Sequence, residues 1–89
     1  MLTPKLSRQF ERDYVRQSKR NKDIEKLEEV MKLIIAEKPL LRKHNDHPLR
    51  GEWKGCRDCH VEPDWVLIYR ISGGDVTFER TGTHADLFE

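Results

Sequence analysis

Three of the four histidines in this 89-residue chain lie in short stretches that also carry carboxylates, prolines or glycine. His47 stands in Asp46-His47-Pro48-Leu49, His60 begins His60-Val61-Glu62-Pro63-Asp64-Trp65, and His84 ends Arg80-Thr81-Gly82-Thr83-His84. Imidazole donates and accepts protons near neutral pH, and a neighbouring carboxylate can orient it. These residue types therefore point to proton transfer at a site built from loops and strand ends.

Two amphipathic helices are predicted in the first half of the chain. Leu6, Phe10 and Tyr14 recur every four residues, which predicts a helix over about residues 7–19. Asp23 is the expected N-cap of a second helix, which Pro39 ends. The apolar face of that second helix comprises Ile24, Leu27, Val30 or Met31, and Ile34. Two amphipathic helices this close in sequence are expected to form a hairpin.

Strands are predicted in the second half, after residues 38–55, which show neither a helical nor a strand period. Alternating apolar residues predict a strand over 65–71 that is buried on both faces. Ser72-Gly73-Gly74-Asp75 is a hairpin turn leading to a strand over 76–81, and a shorter strand is expected over 57–61. Residues 86–89 are expected to form no more than a turn. The sequence thus predicts one α+β domain over residues 1–89, a helical hairpin packed on a small antiparallel sheet.

The net charge of +1 hides a polarity along the chain. Residues 1–22 hold seven basic and two acidic side chains, whereas residues 51–89 hold four basic and eight acidic ones. A basic stripe on the first predicted helix could bind a polyanion such as ribosomal RNA, or be only a solvated face; it comprises Arg8, Arg12, Arg16 and Lys19. No apolar run is long enough for a membrane span and no export signal is visible, so a cytoplasmic domain is expected.

The three histidines are expected to converge, because adjacent antiparallel strands bring the ends of such segments together. Asp64 follows a turn-forming proline and could orient one of the imidazoles or hold a water. A single histidine is more often a structural or surface residue than a catalytic one. Three of them near loop or strand ends, with acids interleaved, keep both interpretations open. His44 is left outside the set.

The run from Asp46 to Phe88 resembles YafQ-type toxins, members of the RelE-like family of bacterial type II toxin–antitoxin systems. The likeness covers nearly half the chain continuously and follows a two-helix front end of the right size. The matching text is His47-Pro48-Leu49, Gly51-Glu52-Trp53-Lys54-Gly55, Arg57-Asp58, His60-Val61-Glu62-Pro63-Asp64-Trp65, Leu67-Ile68-Tyr69, Phe78-Glu79-Arg80-Thr81-Gly82-Thr83-His84 and Leu87-Phe88.

The resemblance implies a RelE-like microbial RNase fold and a ribosome-dependent endoribonuclease of the bacterial cytoplasm that cuts mRNA in the decoding site. It implies a partner antitoxin, expected to be of the ribbon–helix–helix type and to form a heterotetramer with the toxin. It implies no cofactor. The positions that match the catalytic set of the family are His47, His60, Asp64 and His84. Those that match supporting or RNA-contacting positions are Asp58, Arg80 and Phe88.

The residue types suit metal-independent RNA cleavage. Attack by the 2′-hydroxyl needs a base for its proton, an acid for the leaving 5′-oxygen and positive charge near the phosphate. We assign His84 as the acid and His47 as the base, with His60 as a second proton carrier or phosphate donor. Asp64 would orient an imidazole and favour its charged form, and Arg80 would stabilise the phosphate. Phe88 would stack on a base or be pinned into the core.

Cys56-Arg57-Asp58-Cys59-His60 offers two competing interpretations. It has the literal pattern of c-type haem attachment, and Cys56, Cys59 and two histidines could instead form a zinc site in a structural or nucleic-acid-binding module. The pattern falls in a predicted strand, where the two thiols would point to opposite faces. No methionine follows to act as a distal haem ligand. Both alternatives therefore rank below the RNase.

Overall fold

The two predicted helices and three predicted strands occur in the predicted order, and the structure adds strands at Thr3–Leu6 and His47–Pro48 and a helix at His84–Phe88. The structure is a computed structural model that describes all residues from 1 to 89. The strands are β1 (Thr3–Leu6), β2 (His47–Pro48), β3 (Arg57–Glu62), β4 (Trp65–Ser72) and β5 (Asp75–Gly82). The helices are α1 (Arg8–Lys19), α2 (Ile24–Ile35) and α3 (His84–Phe88), and 3-10 turns cover Arg42–His44 and Gly51–Trp53.

Both long helices begin at capping side chains. The hydroxyl of Ser7 accepts a hydrogen bond from the Phe10 N–H at 2.9 Å, and the predicted cap Asp23 accepts one from the Glu25 N–H at 3.2 Å. The apolar stripe of each helix faces the sheet, where Phe10 and Leu27 are almost completely buried. The predicted helical hairpin on a sheet, and with it the α+β class, is confirmed.

The sheet has five strands in the order β1-β5-β4-β3-β2. Three of them, β3, β4 and β5, form the predicted antiparallel part, and β2, which is not predicted from the sequence, adds a fourth antiparallel strand. Strands β4 and β5 are joined by the expected turn, in which Gly73 has a φ of 59°. Strand β1 is not predicted from the sequence; it pairs in parallel with β5 from Thr3↔Asp75 to Leu6↔Phe78. All four residues of β1 are exposed and one is a proline, so the strand has no apolar period from which to predict it.

Strand β4 separates two apolar clusters, because its side chains alternate between the faces of the sheet. Trp65, Leu67 and Tyr69 point into the larger cluster, beneath α1 and α2. Val66 and Ile68 point into the smaller cluster on the other face, against Leu87 of α3 and the loop residues Leu49 and Trp53. The prediction of a strand buried on both faces is therefore confirmed over 65–69, and the second face is where α3 lies.

The prediction that the chain closes in a mere turn is wrong, since His84–Phe88 forms a short helix. Thr83 caps it reciprocally: its hydroxyl accepts from the Asp86 N–H at 3.1 Å, and the Asp86 carboxylate accepts from the Thr83 N–H at 2.9 Å. Leu87 anchors the helix in the smaller cluster. None of the three helices has both the length and the apolar character needed to cross a membrane.

Candidate active site

The three predicted histidines meet on the face of the sheet opposite α1 and α2. His47 in β2 pairs with Asp58 in β3, and His60 follows Asp58 by two residues, so that both β3 side chains share one face. His84 begins α3 above them. The ring centroids of His60 and His84 are 5.3 Å apart, edge to face. The expected convergence is therefore present in the structure.

His84 forms a close pair with Asp64 across the β3–β4 turn. Its Nδ1 lies 2.7 Å from the Asp64 carboxylate, which also accepts the His84 backbone N–H at 3.1 Å. These hydrogen bonds, that of the ring first, lower the pKa of Asp64, so the carboxylate is ionised at neutral pH. Because Nδ1 is occupied, Nε2 is the ring nitrogen left for substrate.

His47 is held by a backbone carbonyl. Its Nδ1 lies 2.7 Å from the carbonyl oxygen of Asn45. A carbonyl can only accept, so this contact assigns the proton of the neutral ring to Nδ1 and leaves the lone pair on Nε2. A nitrogen with a free lone pair is what a general base needs.

Asp58 lies beneath the imidazoles with only 4% of its surface exposed. Its Oδ1 is 3.0 Å from Nδ1 of His47 yet has no hydrogen-bond partner, because the N–H of that ring points to Asn45 instead. Burial raises the pKa of Asp58, while His47, His60 and His84 act in the opposite direction. The three imidazoles thus lie over a buried carboxylate whose Oδ1 accepts no hydrogen bond.

Helix α3 is fixed to the end of α1 by its third residue, Asp86. Arg20 donates two hydrogen bonds to this carboxylate, at 2.6 and 3.2 Å, and Arg16 lies 3.7 Å away. The Arg20 hydrogen bond is the main cause that holds the pKa of Asp86 far below its usual range. A Cβ on Gly82 would lie 2.8 Å from the Asp86 carboxylate, so the missing side chain lets α3 fold back this closely.

Arg80 is engaged by a buried carboxylate. Its Nε and Nη2 donate to Asp13 of α1 at 2.7 and 3.2 Å, and the Thr81 N–H donates to the same carboxylate at 3.1 Å. Asp13 is 1% exposed, so this pair joins α1 to the edge of β5 beyond the end of β1. The expected phosphate contact of Arg80 stays a prediction, and it would have to use the Nη1 side of the guanidinium.

Phe88 and His44 occupy different surroundings. Phe88 is 42% exposed, with its ring centroid 6.0 Å from that of His84, so it is not pinned into the core and its face is open to a base. His44 is buried, and its Nδ1 lies 2.7 Å from the carbonyl oxygen of His60, which ties the first 3-10 turn to β3. His44 therefore supports the strand that carries His60.

Comparison with known proteins places the chain in a family. Residues 2–89 match the family described as "Bacterial toxin of type II toxin-antitoxin system, YafQ". This chain belongs to the YafQ family. The mRNA interferase toxin YafQ of Escherichia coli K12 is 52% identical over 83 residues, which cover 92% of this chain and 90% of the relative. The family named from the sequence is thereby confirmed.

Solved structures support the same fold. The crystal structure of YafQ from E. coli BL21(DE3) superposes with a TM-score of 0.95 at 47% identity, with complete coverage of both chains. YafQ in the E. coli DinJ–YafQ toxin–antitoxin complex gives 0.92 at 48% identity, covering 99% of this chain and 98% of the other. A metal-bound toxin from Helicobacter pylori gives 0.92 at 37% identity, covering 99% of this chain and all of the other.

The two cysteines lie in different apolar clusters, as predicted, although Cys56 comes one residue before β3 and only Cys59 lies in the strand. Cys59 belongs to the larger cluster beneath the helices, and Cys56 to the smaller one on the face of the histidines. Each is at most 1% exposed, and burial raises the pKa of both thiols. Two thiols on opposite faces of one sheet cannot bind the same zinc ion or haem, so this geometry argues against both alternatives.

The sequence does not reveal the polar side chains that hold the site residues in place. The sequence places Asp46 in a loop and Tyr69 among the core anchors, yet the Tyr69 hydroxyl donates to Asp46 at 2.6 Å. It does not single out Asp13 or Asp86 either. Periodicity shows which face a residue occupies and says little about which polar partner it meets across 20 to 70 residues of sequence. A buried position occupied by an aspartate on an amphipathic helix, as at Asp13, is the one available signal.

Proposed function

We propose that this chain is the toxin of a type II toxin–antitoxin pair and cleaves mRNA on the ribosome by acid–base catalysis without a metal. The observation that carries the proposal is that two imidazoles are held in different ways, one suited to a base and the other to an acid. His47 offers a lone pair on Nε2 because a carbonyl fixes its Nδ1–H, whereas His84 is paired with an ionised carboxylate. Family membership and the name of the E. coli relative, an mRNA interferase toxin, support cleavage of mRNA.

The two imidazoles take the two proton transfers of RNA cleavage. His47 Nε2 removes the proton of the 2′-hydroxyl as its oxygen attacks the adjacent phosphorus. His84 Nε2–H protonates the 5′-oxygen as the P–O bond breaks, leaving a 2′,3′-cyclic phosphate and a 5′-hydroxyl. Asp64 accepts the Nδ1–H of His84 and so orients the ring with Nε2 towards the substrate. His60, edge-on to His84, donates to a phosphate oxygen or carries a proton.

The remaining site residues hold the substrate. Phe88, exposed beside His84, stacks on a base next to the scissile bond. Arg80 adds positive charge through the side of its guanidinium that Asp13 does not occupy. Since residues 51–89 carry twice as many acidic as basic side chains, the site binds RNA weakly by itself. The ribosome therefore supplies much of the substrate binding and presents the message in its decoding site.

An antitoxin protein silences the toxin in this proposal. The E. coli relative has been solved in complex with DinJ. By analogy we assign this chain a small antitoxin of the ribbon–helix–helix type, with which it forms a heterotetramer in the bacterial cytoplasm. A reading frame for such a protein beside the toxin gene, and copurification of the two products in a 2:2 complex, would support this part.

The decisive experiment is cleavage of a ribosome-bound message by the His84→Ala variant. Loss of the general acid lowers the rate by about 10² to 10⁴ while the thermal melting curve stays close to that of the parent. His47→Ala and His60→Ala each lower the rate as well. Cleavage at the parental rate by His84→Ala contradicts the assignment, and equal cleavage of the same RNA without ribosomes contradicts ribosome dependence.

His44→Gln is the matched control for these variants. It replaces a buried histidine that contacts the backbone of His60 and stands outside the three-ring cluster. We expect a lower melting temperature and a near-parental rate per folded molecule. A loss as large as that of His84→Ala would show that any damage near β3 stops the reaction.

A further inference from the structure

Asp46 lies directly before His47, and its carboxylate accepts hydrogen bonds from one donor on β3 and one on β4. These two hydrogen bonds are called the grip on Asp46. Its Oδ1 accepts the Tyr69 hydroxyl at 2.6 Å and the Arg57 Nε–H at 3.1 Å. Tyr69 is only 3% exposed and packs in the cluster beneath the helices. Two donors on one carboxylate oxygen, one of them inside the core, fix that side chain more firmly than an exposed ion pair does.

Asp46 and His47 point to opposite faces of the sheet. Adjacent residues of an extended segment alternate, and the contacts agree: Asp46 meets Tyr69 on the side of the helices, while His47 meets Asp58 on the side of the site. The grip on Asp46 therefore lies on the helix side of the sheet, opposite the site. It fixes the residue directly before His47, and His47 faces the substrate.

The strand that carries His47 is short. Strand β2 has only two residues, paired as His47↔Asp58 and Pro48↔Arg57, and a proline has no N–H to donate. The preceding Asn45 has a left-handed backbone, with φ 46° and ψ 49°, a conformation that asparagine adopts more readily than most residues and that does not continue a strand. An isolated segment of this kind would not keep the Asn45 carbonyl directed at the imidazole.

We propose that Asp46, held by Tyr69 and Arg57, is the positioning residue that fixes His47 in its base-competent state. The grip sets the peptide between Asn45 and Asp46, so that its carbonyl oxygen holds Nδ1–H and leaves the Nε2 lone pair facing the substrate. The inference rests on the proposed role of His47. When the grip is released, the ring samples both tautomers and other rotamers, and the population with Nε2 in place falls.

The two donors to Asp46, Tyr69 and Arg57, keep their protons at neutral pH. Burial, and then the hydrogen bond to Asp46, raises the pKa of Tyr69, so its hydroxyl keeps its proton throughout the neutral range. The same carboxylate raises the pKa of Arg57, which remains a cation beside it. Tyr69 and Arg57 can therefore both donate to Asp46 throughout the neutral range.

Tyr69→Phe tests the proposal because it removes one hydroxyl and keeps the ring in the core. We expect kcat on ribosome-bound message to fall about 10- to 100-fold with KM nearly unchanged. The matched control is Tyr14→Phe, which removes a hydroxyl that reaches the Glu28 carboxylate at 3.4 Å on the surface of the helices. That variant cleaves at the parental rate.

Two further measurements separate positioning from a general loss of structure. In the His47→Ala background, Tyr69→Phe causes no additional loss of kcat, because the residue through which it acts is gone. The ¹⁵N spectrum of the imidazoles shows a protonated Nδ1 for neutral His47 in the parent and a mixture of tautomers in Tyr69→Phe. Arg57→Lys retains one donor and falls between the parent and Arg57→Ala in both measurements.

The outcomes are distinct. A parental kcat for Tyr69→Phe, or the same fold loss with and without His47, overturns the proposal. If His47→Ala itself cleaves at the parental rate, the role proposed for His47 fails. The ¹⁵N spectrum then still decides about the grip: an unchanged His47 tautomer in Tyr69→Phe overturns it, and a shift to a mixture supports it.

Discussion

Asp58 is a buried carboxylate that lies within the proposed catalytic cluster. Its carboxylate is buried beneath three imidazoles, and its Oδ1 lacks a hydrogen-bond partner. Because burial raises the pKa of Asp58, its ionised form opposes folding at neutral pH and ceases to do so at low pH, where it is protonated in both states. A negative charge kept at such a cost is expected where it stabilises the positive charge that an imidazole acquires when it accepts a proton from the substrate.

The corresponding prediction concerns Asp58→Asn. At pH 7 the variant should be more stable than the parent by about 1 kcal/mol, because a buried charge is removed from an incompletely bonded position. The gain should shrink as the pH falls through the raised pKa of Asp58 and vanish near its ordinary value. Cleavage of ribosome-bound message should fall at the same time.

Chemical denaturation across pH, together with a cleavage assay, measures both effects of Asp58→Asn. Asp23→Asn is the control, since it makes the same exchange at an exposed helix cap, where asparagine works as well as aspartate. It should change neither quantity. Lower stability of Asp58→Asn at pH 7 would show that the charge contributes to the fold.

At the scale of the elements, the basic stripe on α1 and the helix that bears His84 are linked. Arg8, Arg12 and Lys19 are exposed and form no ion pair, whereas Arg16 and Arg20 face Asp86 of α3. The sequence predicts Arg16 as a docking residue with no connection to the site. Its contact with Asp86 means that a glutamate at position 16 would repel α3 and disturb His84. A test of docking must therefore leave Arg16 intact.

We predict that changing Arg8, Arg12 and Lys19 together to glutamate weakens ribosome binding strongly. If the stripe binds ribosomal RNA, the dependence of binding on salt should flatten by roughly one unit of slope for each phosphate that the variant no longer neutralises. Sedimentation with ribosomes over a range of salt concentrations measures both quantities. Lys32→Glu with Lys38→Glu, on and just after α2, is the control and should bind like the parent. Unchanged binding by the triple variant would mean that the stripe is only a solvated face.

The sequence is sufficient to predict the elements whose signal is local. The apolar spacing of Leu6, Phe10 and Tyr14 predicts α1, although Leu6 itself lies in β1 and is exposed. The alternation after Trp65 predicts β4. Strand β1 escapes prediction because its partner lies about 70 residues away and its own residues are exposed. Helix α3 escapes because five residues are too few for a period, although Thr83 and Asp86 carry a capping signature.

The candidate site, too, has one part that the sequence predicts and one part that it does not. The convergence of the histidines is predictable because antiparallel neighbours bring the ends of their strands together. Arg80 is expected to face RNA, and nothing near it in sequence reveals that Asp13, 67 residues away, binds two of its nitrogens. Family resemblance transfers the identity of such residues but not their partners, which depend on the packing of α1 against β5.

For the molecule as a whole, the cysteines and the histidines give a test of metal use. No group of three or more potential ligand side chains is arranged to hold a metal ion, and the two thiols belong to opposite faces of the sheet. A toxin from H. pylori with the same fold has nevertheless been solved with metal bound. The reaction proposed here needs only imidazoles and a guanidinium, so it makes a different prediction.

We predict that removing divalent metal from the purified toxin with a chelator, before it is added to ribosomes, leaves its cleavage rate unchanged. Replacing Cys56 and Cys59 by alanine should also preserve the rate per folded molecule. Alanine is preferable to serine, because a hydroxyl in these apolar positions would be buried without a designed partner. Stoichiometric metal in the protein, with activity lost on its removal and regained on its return, would contradict metal independence.

The pairing of β1 with β5 has a consequence for how the toxin is made. These strands are among the first and the last elements in the chain, so the sheet edge closes only after nearly everything between them has been synthesised. His84 and Phe88 come later still. A nascent chain therefore lacks part of the candidate active site while most of it is being translated. The message that encodes the toxin is read almost to the end of this domain before the site can be complete.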